Sequence, residues 1–192
     1  MLNKAMKSTI QITNKPAYIA AQNIYLQQLA GHCDYGITLQ TKLYTCGATE
    51  QAMRYKLEQA EKGLYAFRHR LNRLLTGNGS VRNNRYLPVF VAAIEGTMNS
   101  YDLNRTLHIH AALGNAGHKA TEATRELLED GIRQIWAGID IGTNDVKVDL
   151  LEIGTEIRWI EYLSKEASKG NIEVINYKNT QAPTYILDKI TH

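Results

Sequence analysis

The chain has 192 residues, of which 44% are hydrophobic and 21% charged, and a formal net charge of +3. That length suits one well-buried domain better than two, and the composition is globular, not disordered. No apolar run is long enough to span a membrane, residues 1–7 lack a hydrophobic signal core, and Cys33 and Cys46 are too few for a disulfide framework. A cytoplasmic protein without a membrane partner is therefore expected.

The charge is uneven. Residues 1–100 hold twelve Lys and Arg against five Asp and Glu, whereas the remainder holds ten against fourteen. Eight basic residues lie between Arg54 and Arg85, including Arg70, Arg73, Arg82 and Arg85. Such an excess suits a polyanion, although a solvated helix face has the same composition.

In chain order, Ser8 to Thr13 reads as a short strand or an arm. Pro16 fits a first helical position, and Tyr18, Ala21, Tyr25 and Leu29 then recur at helical spacing up to Gly31. Tyr35-Gly36-Ile37-Thr38-Leu39-Gln40-Thr41 alternates as a strand, with Ile37 and Leu39 on one face and Thr38 and Gln40 on the other. His32, Cys33 and Cys46 offer three zinc-ligand types, against which stands the simpler reading of incidental thiols. Thr49 and Glu50 open a long helix, in which Met53, Leu57, Ala60, Leu64, Phe67, Leu71 and Leu74 form one apolar seam. Packing on a sheet explains the seam better than a coiled coil, because Ala60 and Phe67 make a poor zipper. The helix should stop in the loop Thr76-Gly77-Asn78-Gly79-Ser80.

Tyr86 to Glu95 is an apolar, hence covered, strand, with Pro88 at its entry. A connection from Gly96 leads into the strand Arg105 to Leu113. There His108 and His110 share one face, while Leu107, Ile109, Ala111 and Leu113 share the other. Two imidazoles projecting together form half of a divalent-metal site, and two hydrogen-bonded surface histidines would look the same. Glu95 is the only acid between Glu61 and Asp102, and hairpin pairing would bring its carboxylate near both histidines. Thr121 to Trp136 reads as a helix, and Asp145 to Ile153 as an alternating strand. Glu156 to Ser168 reads as a helix capped by Gly170, and Ile172 to Ile175 as a last strand. The order β-α-β-β-α-β-α-β, with an extra N-terminal helix, fits a ferredoxin-like (RRM-like) α+β sandwich. Its antiparallel sheet would carry helices on one face.

On the helix after the fourth strand, Tyr162 and Lys165 stand at i and i+3 and share a face, with Ile160 and Leu163 on the adjoining one. A phenol beside an ammonium suits phosphoryl transfer from a nucleic acid. The phenol would be the nucleophile, and the ammonium would bind phosphate or favour the phenolate. An ordinary amphipathic pair has the same spacing.

Taken in order, these segments resemble the HUH endonucleases, in the single-tyrosine replication-initiator (Rep) branch of small phages, plasmids and circular single-stranded DNA viruses. Residues 35–41 are similar to that family's first motif, with Gly36 where a bulkier residue is usual. Leu107-His108-Ile109-His110 resembles its His-hydrophobic-His motif, and Tyr162-Leu163-Ser164-Lys165 its Tyr-x-x-Lys motif. The resemblance implies metal-dependent nicking and rejoining of single-stranded DNA at a replication origin, in a hairpin or not. The nick would leave a 5′-phosphotyrosine and a free 3′-hydroxyl. It assigns Tyr162 as nucleophile, Lys165 as accessory cation, and His108, His110 and, less directly, Glu95 as ligands of Mg²⁺ or Mn²⁺. Thr38 and Gln40, with Arg70, Arg73, Arg82 and Arg85, would contact DNA. Residues 31–178 would be the endonuclease domain, 1–30 a helical extension and 179–192 a tail. No Walker-type loop is present, so the host would supply helicase and polymerase. The rivals are a single-tyrosine HUH transposase, which generally lacks the lysine, and a non-catalytic RRM-like domain, which should expose strand aromatics. A two-histidine phosphodiesterase would need a second His-x-Thr motif, and the chain has none.

Overall fold

A computed structural model describes residues 15–80, 86–97, 103–152, 154–165 and 174–190. The elements are α1 (Lys15–Ala30), β1 (Tyr35–Tyr44), α2 (Glu50–Ser80), β2 (Val89–Glu95), β3 (Thr106–Gly114), α3 (Glu122–Ala137), β4 (Gly142–Leu150), α4 (Glu156–Leu163) and α5 (Thr184–Ile190). The four strands form one sheet in the order β2-β3-β1-β4, with every neighbouring pair antiparallel. This is an α+β fold, consistent with the ferredoxin-like sandwich expected from the order of elements. Among the described residues no helix is long and apolar enough to cross a membrane.

Period-two alternation divides the strands between two layers. On one face Tyr35, Ile37, Leu39, Phe90, Ile109 and Leu113 meet the seam of α2 and the buried side of α3. Ala60, Leu64, Phe67 and Leu71 come from α2, and Leu128, Ile132 and Trp136 from α3. Trp136 is fully buried because its one polar atom is satisfied, the indole N–H donating to Gln40 O at 2.7 Å. Each large side chain so buried contributes about 1.5–3 kcal/mol of transfer free energy. Thr121 caps α3 in a reciprocal arrangement with Thr124, as a helix opening at Thr121 requires.

The structure adds a second layer to the single covered face expected from sequence. Leu26 and Leu29 of α1, Ile160 and Leu163 of α4, and Val174, Ile175 and Ile186 pack on Val89, Val91, Ala93 and Ala112. Residues 174–181 also run along the outer edge of β2. Phe90 and Gln181 exchange backbone hydrogen bonds of 2.8 Å, and Asn176 N–H donates to Ala92 O at 2.8 Å. That cover explains why all seven residues of β2 are buried on an edge strand.

Several boundaries differ from the sequence reading. Helical hydrogen bonding runs on to Ser80, although Gly77, with φ 68° and ψ 180°, breaks α2 where the loop was expected. α5 occupies part of the expected tail because Ile186 finds a place in the second core. Of the expected last strand, Ile175 forms an isolated bridge with Ala93, and a further bridge joins Gln181 to Phe90. The expected arm at Ser8 to Thr13, Arg82, Arg85, Gly170 and the start of the last strand lie outside the described residues.

Candidate metal centre

The site grows out of the β2–β3 hairpin. Glu95 ends β2 directly opposite His108, and Ala93 stands opposite His110. The three side chains project to the face away from α2 and α3. The chain leaves β2 through Gly96, whose φ is 89° and where a Cβ would lie 2.5 Å from Thr106 O. Only glycine suits that turn, which fixes Glu95 at the strand end.

Glu95 Oε2 lies 3.6 Å from His108 Nε2 and 3.8 Å from His110 Nε2. One ligand atom from each of the three residues falls within 4.8 Å of the others, so the group could hold a metal ion. Glu95 is 2% exposed and His110 6%. The imidazoles are oriented from behind. His108 Nδ1 lies 3.3 Å from Thr106 O, and a carbonyl can only accept, so Nδ1 is placed to donate there and Nε2 faces inward. His110 Nδ1 lies 3.0 Å from the Thr38 hydroxyl, which likewise directs its Nε2 toward Glu95. Glu95 Oε1 is buried with no hydrogen-bond partner, the open valence a cation would satisfy. Two nitrogens and a carboxylate oxygen fit a divalent first-row ion or Mg²⁺ and do not select one.

Electrostatics keep the group ready for a cation. Burial opposes the ionisation of Glu95, but the His108 imidazole, the Lys165 ammonium and His110, all facing its carboxylate, outweigh it and leave the carboxyl below its ordinary range. Burial pulls His110 down to about 4 against the opposing field of Glu95, so its imidazole is neutral near pH 7. Burial also pulls on Lys165, yet its bonds to Glu95 and Tyr162 prevail and it titrates above its usual value.

The helix α4 closes the site from above. Ile160 and Leu163, both buried, hold it to the sheet. The helix ends at Leu163, short of the expected Ser168, so Tyr162 leans over the hairpin from its last turn and Lys165 from just past the Ser164 cap. Tyr162 Oη lies 3.4 Å from His110 Nε2. Lys165 Nζ lies 2.8 Å from Glu95 Oε2 and 3.3 Å from the centroid of the Tyr162 ring. One cation thus touches both the buried carboxylate and the phenol's π-face.

Five of the residues singled out in the sequence therefore converge: Glu95, His108, His110, Tyr162 and Lys165. Thr38 joins them through His110, and Gln40 stands opposite His108 across the β1–β3 ladder. Arg70 and Arg73 do not join them, being exposed positions of α2, which covers the opposite face of the sheet. Arg70 instead donates to Gly138 O at 2.9 Å. The His32, Cys33 and Cys46 alternative does not assemble, since Glu95, His108 and His110 are the only such group among the described residues. Cys33 is buried, its thiol pointing at Leu29 O. Trp159 was missed by sequence reasoning; its spacing of three from Tyr162 on one helix was the available signal.

The arrangement is loosely like an HUH motif: a small antiparallel sheet carrying a buried Glu/His/His group. Comparison with family models, with curated proteins and with solved structures finds no match in any of the three.

Proposed function

We propose that the protein is a Rep-type endonuclease that nicks and rejoins single-stranded DNA to start rolling-circle replication. The observation that carries this reading is the Tyr162 oxygen lying 3.4 Å from a nitrogen of the Glu95/His108/His110 group. Glu95, His108 and His110 would hold Mg²⁺ or Mn²⁺, which when bound polarises the scissile phosphate and offsets charge developing on it. Lys165, which titrates above its usual value, sits with its ammonium 3.3 Å from the centroid of the Tyr162 ring, where its charge would meet a phosphate brought to the phenol oxygen.

In the transfer, Tyr162 Oη forms a bond to phosphorus and the bond from phosphorus to the 3′-oxygen breaks. The phenol gives up a proton and the departing 3′-oxygen takes one up. The exchange is a transesterification that consumes no water and no oxidant, and attack by a 3′-hydroxyl reverses it. Holding phenol and phosphate together supplies much of the rate through orientation. The lysine supports this reading over the transposase. Tyr35 and Phe90 are buried in the core, which weighs against an RRM-like binder, whereas Tyr86 before β2 and Tyr44 at the end of β1 are exposed. A host helicase and polymerase would extend the freed 3′ end in the cytoplasm.

Incubation with circular single-stranded DNA and Mn²⁺ is the test. A nicked product carrying the protein covalently, with the adduct mapped to Tyr162 by mass spectrometry, is expected. Tyr162→Phe should abolish adduct and nick while leaving metal and DNA binding intact. An adduct that persists in Tyr162→Phe would place the nucleophile elsewhere.

A further inference from the structure

Trp159 has no part in the chemistry above, yet it touches both Tyr162 and His110. Its indole stacks on the Tyr162 ring, with centroids 5.5 Å apart and planes 25° from parallel. It meets the His110 ring edge-on at 5.9 Å. Its N–H donates at 2.9 Å to Ala111 O, the carbonyl next to His110 on β3. Beneath the indole lies Gly36 of β1, where a Cβ would come within 2.7 Å of Trp159 Cε2 and 2.9 Å of Cδ2. Gly36 is not among the glycines with positive φ. Its glycine is thus required by the space the indole occupies and not by a backbone angle. This accounts for the residue by which β1 departs from the pattern it otherwise resembles.

The Tyr162 side chain is 39% exposed and stands near the end of an eight-residue helix. Its contacts are a 3.4 Å approach of Oη to His110 Nε2 with the two rings edge-on at 4.9 Å, the Lys165 ammonium and the stack on Trp159. His110 belongs to the sheet and Lys165 reaches it through Glu95 at 2.8 Å, but Trp159 alone combines a stacked face on Tyr162 with a hydrogen bond to the β3 backbone and close contact with Gly36. We propose that Trp159, seated on Gly36, is the positioning residue that holds the Tyr162 ring toward the metal centre. This role rests on the reading of Tyr162 as nucleophile. A misplacement of about 1 Å in a reacting group costs up to a hundredfold in rate, so loss of the platform lowers turnover without touching the ligands.

The full-length chain carrying 3-fluorotyrosine separates ring placement from activity. The Tyr162 fluorine signal is assigned by its disappearance in Tyr162→Phe. Trp159→Leu and Gly36→Ala should shift that signal, and Trp159→Phe, which keeps an aromatic platform, should retain most of its position. In single-turnover cleavage, Trp159→Leu and Gly36→Ala should lose about tenfold to a hundredfold in kcat with KM and Mn²⁺ affinity retained. Trp159→Phe in the Gly36→Ala background should recover part of that loss, because the smaller ring relieves the overlap. A Tyr162 signal unmoved in Trp159→Leu overturns the proposal, as does a KM rise with kcat intact. A wild-type chain that cleaves nothing overturns the nucleophile reading and the catalytic role with it. The fluorine shift would still decide whether Trp159 holds the ring.

Discussion

On the face under α2 and α3, β3 presents Leu107, Ile109 and Ala111 to a dry core; one residue out of step, it presents His108 and His110 to a polar centre. β1 makes the same division, with Ile37 and Leu39 behind, and Gly36, Thr38 and Gln40 in front. The back face buries apolar area and settles where the backbone lies. The front face inherits that rigidity and uses it to hold a carboxylate that is 2% exposed. An uncompensated carboxylate so deep would cost several kcal/mol, and here the lysine and the histidines offset the cost. Stability and chemistry are therefore interleaved along the sequence and separated in space.

The sharpest way to break this division is to cut on each side of it. Phe67 is fully buried between Phe90 and Trp136, with ring centroids at 6.1 and 5.6 Å. Phe67→Ala should destabilise the fold by about 3–5 kcal/mol while the molecules still folded bind Mn²⁺ as before. His108→Ala should do the reverse. Its side chain is 26% exposed, so stability should change by no more than about 1 kcal/mol while metal affinity drops about a hundredfold or more. Urea unfolding and calorimetric Mn²⁺ titration of both variants make the comparison. Equal metal loss in the two would show that the faces are not independent.

Much of this division was legible in the sequence, because period two and the helical seam depend only on local geometry. The strand faces of β1 and β3, the seam of α2 and the pairing of Glu95 with the histidines all follow from residues close together in the chain. What escaped depends on distant contacts. The second layer arises because Leu26, Ile160 and Ile186, far apart in the chain, meet over β2. α5 is short, and its place is set by Ile186 finding that core. Gly36 and Trp159 could not be linked in advance, since nothing local to either says that an indole will lie on a glycine. The basic stretch is a different case: composition locates charge along the chain, not on a face, and Arg70 and Arg73 stand on α2, across the sheet from the metal centre.

Acid should report on the front face selectively. His110 titrates at about 4 in the fold against an ordinary value of about 6.5. Between those values the unfolded chain carries a proton there that the native chain does not, so stability rises with pH through the window and is lost as pH falls. Glu95, held below its ordinary value, acts in the same direction at still lower pH. In chelator, the fold should lose about 2–3 kcal/mol between neutral pH and the lower end of that window. His110→Gln should flatten the curve to what the carboxylates alone contribute. An unaltered slope would mean that His110 is not buried neutral.

The smallest effect concerns the back of the molecule. Arg70 and Arg73 lie exposed on α2, across the sheet from Glu95 and the histidines. A strand just long enough to cross the metal centre cannot reach them without passing around the edge of the sheet. Arg70→Ala with Arg73→Ala should therefore leave the salt dependence of a short single-stranded oligonucleotide unchanged. For a longer strand that wraps the edge, each lost phosphate contact should reduce the logarithmic slope by about 0.7. Fluorescence anisotropy over a range of salt concentrations, with oligonucleotides of increasing length, reads both cases. A reduced slope with the shortest strand would mean that DNA approaches from the α2 side, and that the two faces share one substrate from its first contact.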